Sequence, residues 1–129
     1  NGGIIYPELH YGRDALVGIA LFLTHLAKFG KSISMLRASY PSYFISKNKI
    51  TLTPEMDIDG LLLKVEEKYK NQPYTTIDGL KIEFDKQWVH LRKSNTEPII
   101  RIYSEAGSET AAEALATKLI GDIKEILAI

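Results

Sequence analysis

Two rhythms of apolar and polar positions divide this chain. In the first third, residues 4–6 (Ile-Ile-Tyr) are apolar and β-prone, and Pro7 closes them as a short strand. Residues 8–12 read as loop. Residues 14–29 then carry Leu16, Val17, Ile19, Leu21, Phe22, Leu23, Leu26 and Phe29, with Asp14 before the run as cap or first-turn anion and Gly30 after it. Almost no polar face is left, the pattern of a helix buried on all sides. The run is too short for a membrane span and is interrupted by Thr24, His25 and Lys28, and it lacks the basic leader and cleavage site of a signal peptide. Residues 31–40 suit a short helix docked by Met35 and Leu36, and Pro41 marks a boundary.

Beyond Pro41 the period alternates between two and 3.6. Residues 43–46 and 49–52 form one long or kinked strand, or a hairpin around Asn48. A helix over about 58–69 follows, capped by Asp57, with Ile58, Leu61, Leu62, Val65 and Tyr69 at helical spacing. Gly60 costs about 1 kcal/mol relative to Ala and predicts a looser start. Residues 74–77 and 80–84 read as strands joined by a turn at Asp78-Gly79. Asp85-Lys86 leads to a strand over 87–92, and another runs over 99–103. The last helix spans about 109–127, with Ser108 as cap, Thr110 and Glu113 as a capping box one register later, and a stripe of Ala112, Leu115, Ala116, Leu119, Ile120, Ile123 and Leu127. Strands followed by amphipathic helices predict an α+β fold, an antiparallel sheet of about four strands with helices on one face.

Composition narrows the function. The 129 residues hold one modest domain, or one domain with a remnant of another. Apolar residues make up 45%, enough for a core and too many for a disordered chain. Sixteen basic and sixteen acidic residues cancel, which disfavours nucleic acid and anionic membrane as partners but leaves room for a local cationic pocket. No cysteine is present, so disulfides and thiolate chemistry are excluded, as suits a cytoplasmic enzyme.

Candidate chemistry gathers in Arg92-Lys93-Ser94-Asn95-Thr96-Glu97-Pro98-Ile99-Ile100-Arg101. A short loop of hydroxyls and an amide is closed by a proline and flanked by two guanidiniums. Fork-shaped charged donors beside neutral donors are the parts needed to hold a phosphate. The plainer reading is a polar hairpin connection. His10 and His25 lack partners at ligand spacing and read as surface and core-edge residues. Asp78, Glu83 and Asp85 sit in turns and on a strand face, where surface roles suffice, and Trp88 reads as a sheet-face aromatic.

Arg92, Ser94, Asn95, Thr96, Glu97, Pro98, Arg101, Glu105 and Ala106 together resemble the phosphate-binding signature of the phosphohexomutases: phosphoglucomutases, phosphomannomutases and phosphoglucosamine mutases. The opening Asn1-Gly2-Gly3-Ile4-Ile5 resembles the tail of that family's sugar-binding loop, without its glutamate. The resemblance covers the whole chain as the carboxy-terminal portion of a longer protein, and the missing initiator Met agrees with that.

The resemblance implies residues 1–30 as a remnant of the third, sugar-binding domain, 31–41 as linker, and 42–129 as a phosphate-binding domain similar in layout to the TATA-binding protein. It implies Arg92 as main charge partner, Ser94, Asn95 and Thr96 as side-chain and backbone donors, and Arg101 as a second charge or as a brace through Glu97 or Glu105. Lys93 is a solvated spacer, and Asn1 a weak sugar ligand. The parent enzyme moves a phosphoryl group between the 1- and 6-positions of a hexose through a phosphoserine, Mg²⁺ and a bisphosphorylated intermediate. Neither the phosphoserine motif nor the Asp-rich metal loop occurs here, so the chain alone is expected to be inactive, with a phosphosugar and the remaining domains as its partners. A homodimer through 14–29 would cover the apolar helix. The other reading is a stand-alone anion-binding or interaction module with the same fold.

Overall fold

The computed structural model describes residues 3–53 and 56–128. It divides into two compact units, residues 1–41 and 42–129.

In the first unit, strands β1 (Ile4–Tyr6) and β2 (His10–Asp14) pair antiparallel. The ribbon corrects the expected loop over 8–12 at residues 10–12, while Glu8 and Leu9 form the turn. His-Tyr-Gly-Arg-Asp carries no apolar alternation because its residues are largely exposed, and backbone pairing alone makes it a strand. Asp14 ends β2 and caps helix α1 (Ala15–Phe29), its Oδ1 accepting from the N–H groups of Leu16 at 2.9 Å and Val17 at 3.1 Å. The hydrogen bond from His10, with those backbone donors, holds the Asp14 carboxyl below the usual range. α1 ends where Gly30 turns left-handed at φ 68° and donates to Leu26 O. Ile4 packs so close over Gly18 that a Cβ there would lie 2.7 Å from its Cγ1. Helix α2 (Ile33–Ser39) is capped by Ser32 and buries Leu36.

α1 is not buried as its composition predicts. It has no buried residue, and Leu16 is 77% exposed, Ile19 and Leu23 54% each. His25 is exposed too, stacked on Tyr40 at 6.3 Å rather than set at a core edge. Among the described residues no single helix is long and apolar enough to cross a membrane.

The second unit is α+β. Its antiparallel sheet runs β3-β7-β6-β5-β4, five strands rather than about four, built from β3 (Phe44–Thr51), β4 (Tyr74–Thr75), β5 (Leu80–Phe84), β6 (Gln87–Lys93) and β7 (Ile99–Ala106). β3 is one unbroken strand, paired along its whole length with β7. Asn48 makes no turn; its side chain donates to Ser46 Oγ at 2.8 Å. Thr75 pairs with Lys81, so the β4–β5 connection is a four-residue loop rather than a tight Asp78-Gly79 turn. Gly79 (φ 79°) passes so near β6 that a Cβ would lie 2.2 Å from Leu91 O. The tight two-residue turn is Asp85-Lys86, with Lys86 left-handed at φ 57°.

Alternation sorts the sheet. Ile50, Ile82, Val89, Leu91, Ile100 and Ile102 point into the core, where Leu61 and Val65 of helix α3 (Ile58–Lys68) and Leu115, Leu119 and Ile123 of helix α4 (Glu109–Leu127) meet them. Asp57 caps α3 through the Gly60 N–H at 2.9 Å, and a Cβ at Gly60 would lie 2.2 Å from its carboxylate. The glycine therefore admits the cap instead of loosening the start. Ser108 caps α4, while Glu113, predicted for a capping box, accepts from Ser46 Oγ at 3.0 Å and ties α4 to β3. Asp122 binds Lys68 at 2.8 Å and accepts from Tyr69, joining the two helices. Burial, then that bond, raises the Tyr69 phenol; burial opposes ionisation of Asp122, but the bonds from Lys68 and Tyr69 prevail and lower its carboxyl.

Candidate functional site

The solvent face of the sheet follows from the same alternation. Strand partners share a face, so three rows cross it: Ile45, Glu105, Trp88, Glu83; then Lys47, Tyr103, His90, Lys81; then Lys49, Arg101, Arg92. The third row adjoins the loop of residues 94–98 between β6 and β7.

That loop is held by its backbone. Ser94 N–H donates to Ile99 O at 3.0 Å, Ile99 N–H to Glu97 O at 2.8 Å, and Leu52 N–H reaches Pro98 O at 2.8 Å. Thr96 N–H donates to Ser94 Oγ at 3.4 Å. The expectation of free backbone donors is thus corrected at two positions: the Ser94 and Thr96 amides are engaged within the loop. The hydroxyls, the Asn95 side chain and the Asn95 N–H are the neutral donors in place, since no hydrogen bond is made by that N–H among the described residues.

Arg92, Lys93, Ser94, Asn95, Thr96 and Arg101 line one pocket of about 190 Å³. The structure therefore gathers every expected phosphate-binding residue. Asn1, the weaker sugar-ligand expectation, lies outside the described residues. Arg92 Nε is 3.2 Å from Asp78 Oδ2, and Arg101 Nη2 is 3.5 Å from Glu97 Oε2. Each guanidinium is steadied by one carboxylate, with its other N–H groups available as donors. Arg101 is at once a lining residue and a brace through Glu97; Glu105 instead accepts from Trp88 Nε1 at 2.9 Å.

Two exposed residues stand closer to the pocket than the sequence indicates. Lys93, read as a solvated spacer, is exposed yet lines the pocket. Asp78, read as a surface turn residue, aligns Arg92. The signal for Asp78 was register: Leu80 pairs with Leu91, which carries the preceding turn to Arg92. A larger cavity, about 560 Å³, lies at the other end of β6 and β7 around Tyr43, Phe84 and Trp88, and is distinct from the loop.

Comparison with known proteins decides the family. The family model described as phosphoglucomutase/phosphomannomutase, C-terminal domain, matches residues 49–121, more than half of the chain. The chain belongs to the phosphoglucomutase/phosphomannomutase family. Its Arg92–Arg101 segment lies inside the matched region, so the loop is part of the family's carboxy-terminal domain. A phosphoglucosamine/phosphogalactosamine mutase of Sulfurisphaera tokodaii is 37% identical over 98% of this chain and 28% of its own length. A phosphoglucomutase/phosphomannomutase of Thermococcus kodakarensis is 43% identical over 87% of this chain and 25% of its own. This chain thus spans about a quarter of the length of these mutases. A crystal structure of a phosphoglucomutase/phosphomannomutase family protein from Burkholderia thailandensis shares the fold, with a TM-score of 0.69 over 95% of this chain and 26% of that one at 24% identity.

Proposed function

We propose that this chain is the phosphate-clamping, carboxy-terminal part of a phosphohexomutase that interconverts hexose 1-phosphate and hexose 6-phosphate of glucose, mannose or glucosamine. One observation carries the reading: two braced guanidiniums and the Ser94–Thr96 donors converge on a single pocket. Residues 42–129 form the clamp, 31–41 the linker, and 1–30 belong with the sugar-binding domain.

The clamp works by position. A phosphate held by Arg92 and Arg101, with hydrogen bonds from Ser94, Asn95 and Thr96, fixes the far end of the sugar and sets the reacting phosphate in line. The carboxylates of Asp78 and Glu97 restrict the guanidinium rotamers before the ligand arrives, which reduces the ordering cost of binding. Phosphoserine and Mg²⁺, in the rest of the parent enzyme, supply the phosphoryl transfer through a bisphosphorylated sugar. This chain alone holds phosphate without turning it over.

Adding phosphate to the isotope-labelled chain tests the clamp. Amide shifts are expected to centre on Ser94, Asn95 and Thr96 with millimolar affinity, of the order that a few charge-assisted hydrogen bonds provide (~1.5–3 kcal/mol each before ordering costs). Absent or uniform shifts at high phosphate would refute it. The exposed stripe of α1 supports a second part of the proposal, pairing of two copies through residues 14–29. Sedimentation of the chain should show association that Ile19→Lys abolishes; a monomer at all concentrations sinks the pairing.

A further inference from the structure

The row Lys49, Arg101, Arg92 places three cations side by side on adjacent strands, with Arg101 directly opposite both neighbours. Like charges directly opposite in a sheet are destabilising. Asp78 and Glu97 offset the two guanidiniums, but Lys49 pairs with no carboxylate among the described residues. Two positions along the same face of β3 stands Lys47, its ammonium 5.8 Å above the Tyr103 ring and likewise without a carboxylate partner among the described residues. Both lysines are exposed.

These groups line a second depression of about 300 Å³, bounded by Lys47, Lys49, Glu97, Arg101 and Tyr103, on the β3 side of Arg101. Arg101 lines both this depression and the loop pocket. Its guanidinium therefore stands between two places where an anion meets positive charge. A chain with sixteen acidic residues to balance sixteen basic ones has concentrated uncompensated cations along this edge.

We propose a second phosphate-binding site at the β3 edge, formed by the Lys47 and Lys49 ammoniums, the Arg101 guanidinium and the Tyr103 hydroxyl. Its ligand is a phosphate group, either inorganic phosphate or the phosphate of a small monoester. A phosphate there offsets the row's one unpaired cation and shares Arg101 with the loop. Occupancy of the two sites is thus linked through one side chain, each phosphate competing for the same guanidinium donors. The loop can fail through Arg92 or Asn95 without removing this site, because neither residue lines it and Lys47, Lys49 and Tyr103 lie outside the loop.

Titration of the labelled full chain with inorganic phosphate, against sodium chloride of matched ionic strength, tests the proposal. Two sets of amide shifts are expected, one over Asn95 and Thr96 and one over Lys49 and Tyr103, with separate midpoints. Lys49→Ala should weaken the second set roughly tenfold, the worth of one charge-assisted hydrogen bond, and Lys49→Arg should restore it. Because Lys49 is exposed, neither change threatens the fold. Arg92→Ala should weaken the loop set and leave the β3 set in place. Shifts at the β3 edge without shifts in the loop would uphold this site and refute the clamp. Shifts confined to the loop, an unchanged β3 response in Lys49→Ala, or equal shifts with chloride would each overturn the second site. Repeating the titration with hexose 6-phosphate identifies the source: tighter binding than inorganic phosphate assigns the site to a monoester, equal binding to the free ion.

Discussion

Helices α1 and α4 invite comparison, since each carries a long series of Leu, Ile and Ala. α4 buries Ala112, Leu115, Ala116, Leu119 and Ile123, while α1 buries nothing. The more apolar helix is the more exposed one. α4 confines its apolar groups to a stripe, and β3, β6, β7 and α3 supply a surface for it; α1 meets only short stretches of β1 and α2, which leave its residues unburied. Hydrophobicity sets how much a helix gains by burial, and a facing surface decides whether the gain is realised.

The largest effect should separate the two helices' units outright. Leu91 is fully buried in the second unit, and Leu91→Ala should cost about 2–5 kcal/mol in urea unfolding. Leu23→Ala on α1, measured at a concentration that keeps the chain monomeric, should change stability by no more than about 0.5 kcal/mol. A loss at Leu23 as large as that at Leu91 would break the comparison by showing that α1 has a buried partner.

Next comes the clamp, where function and stability should part. In the parent enzyme, Arg92→Ala should lower kcat/KM by about 10- to 150-fold, the equivalent of ~1.5–3 kcal/mol, and leave Tm nearly unchanged. The side chain is 51% exposed at the end of β6, so little packing is lost. A variant that melts early at full efficiency would make Arg92 structural. Asp78→Asn should act the same way more weakly, because it removes the aligning charge and keeps the guanidinium.

The smallest effect concerns the contact that joins α3 to α4. Asp122 is held below the usual carboxylate range, so its contribution is complete above the unfolded value of about 4 and is lost as pH falls through the lower, folded value. Asp122→Asn should cost about 1 kcal/mol at pH 7 and flatten the decline in stability below about pH 4. Among the described residues no carboxylate bond joins α1 to another helix, and an acid profile unchanged by the substitution would remove Asp122 from the account.

Much was legible along the chain where the physics is local. Asp14, Asp57 and Ser108 cap three helices because a short polar side chain reaches an N–H group two or three residues on; Ser32, expected in a linker, caps α2 in the same way. Gly30 and the Ser94–Pro98 loop were readable for the same reason. β2 was not, because an exposed ribbon leaves no apolar alternation. Asp78 escaped because its partner, Arg92, is fourteen residues away across a hairpin.

The sequence by itself determined the helices, the punctuation between strands and the set of donors in the loop. Tertiary structure decided which strands became neighbours. β3 leaves the order of the chain to lie beside β7, and that pairing sets Lys49 opposite Arg101. Caps and turns act over a few residues, whereas register is chosen by the burial of a whole strand face against distant partners. Apolar residues in a helix therefore mean a core in α4 and an open surface in the more apolar α1, because burial belongs to the pair of surfaces and not to either one.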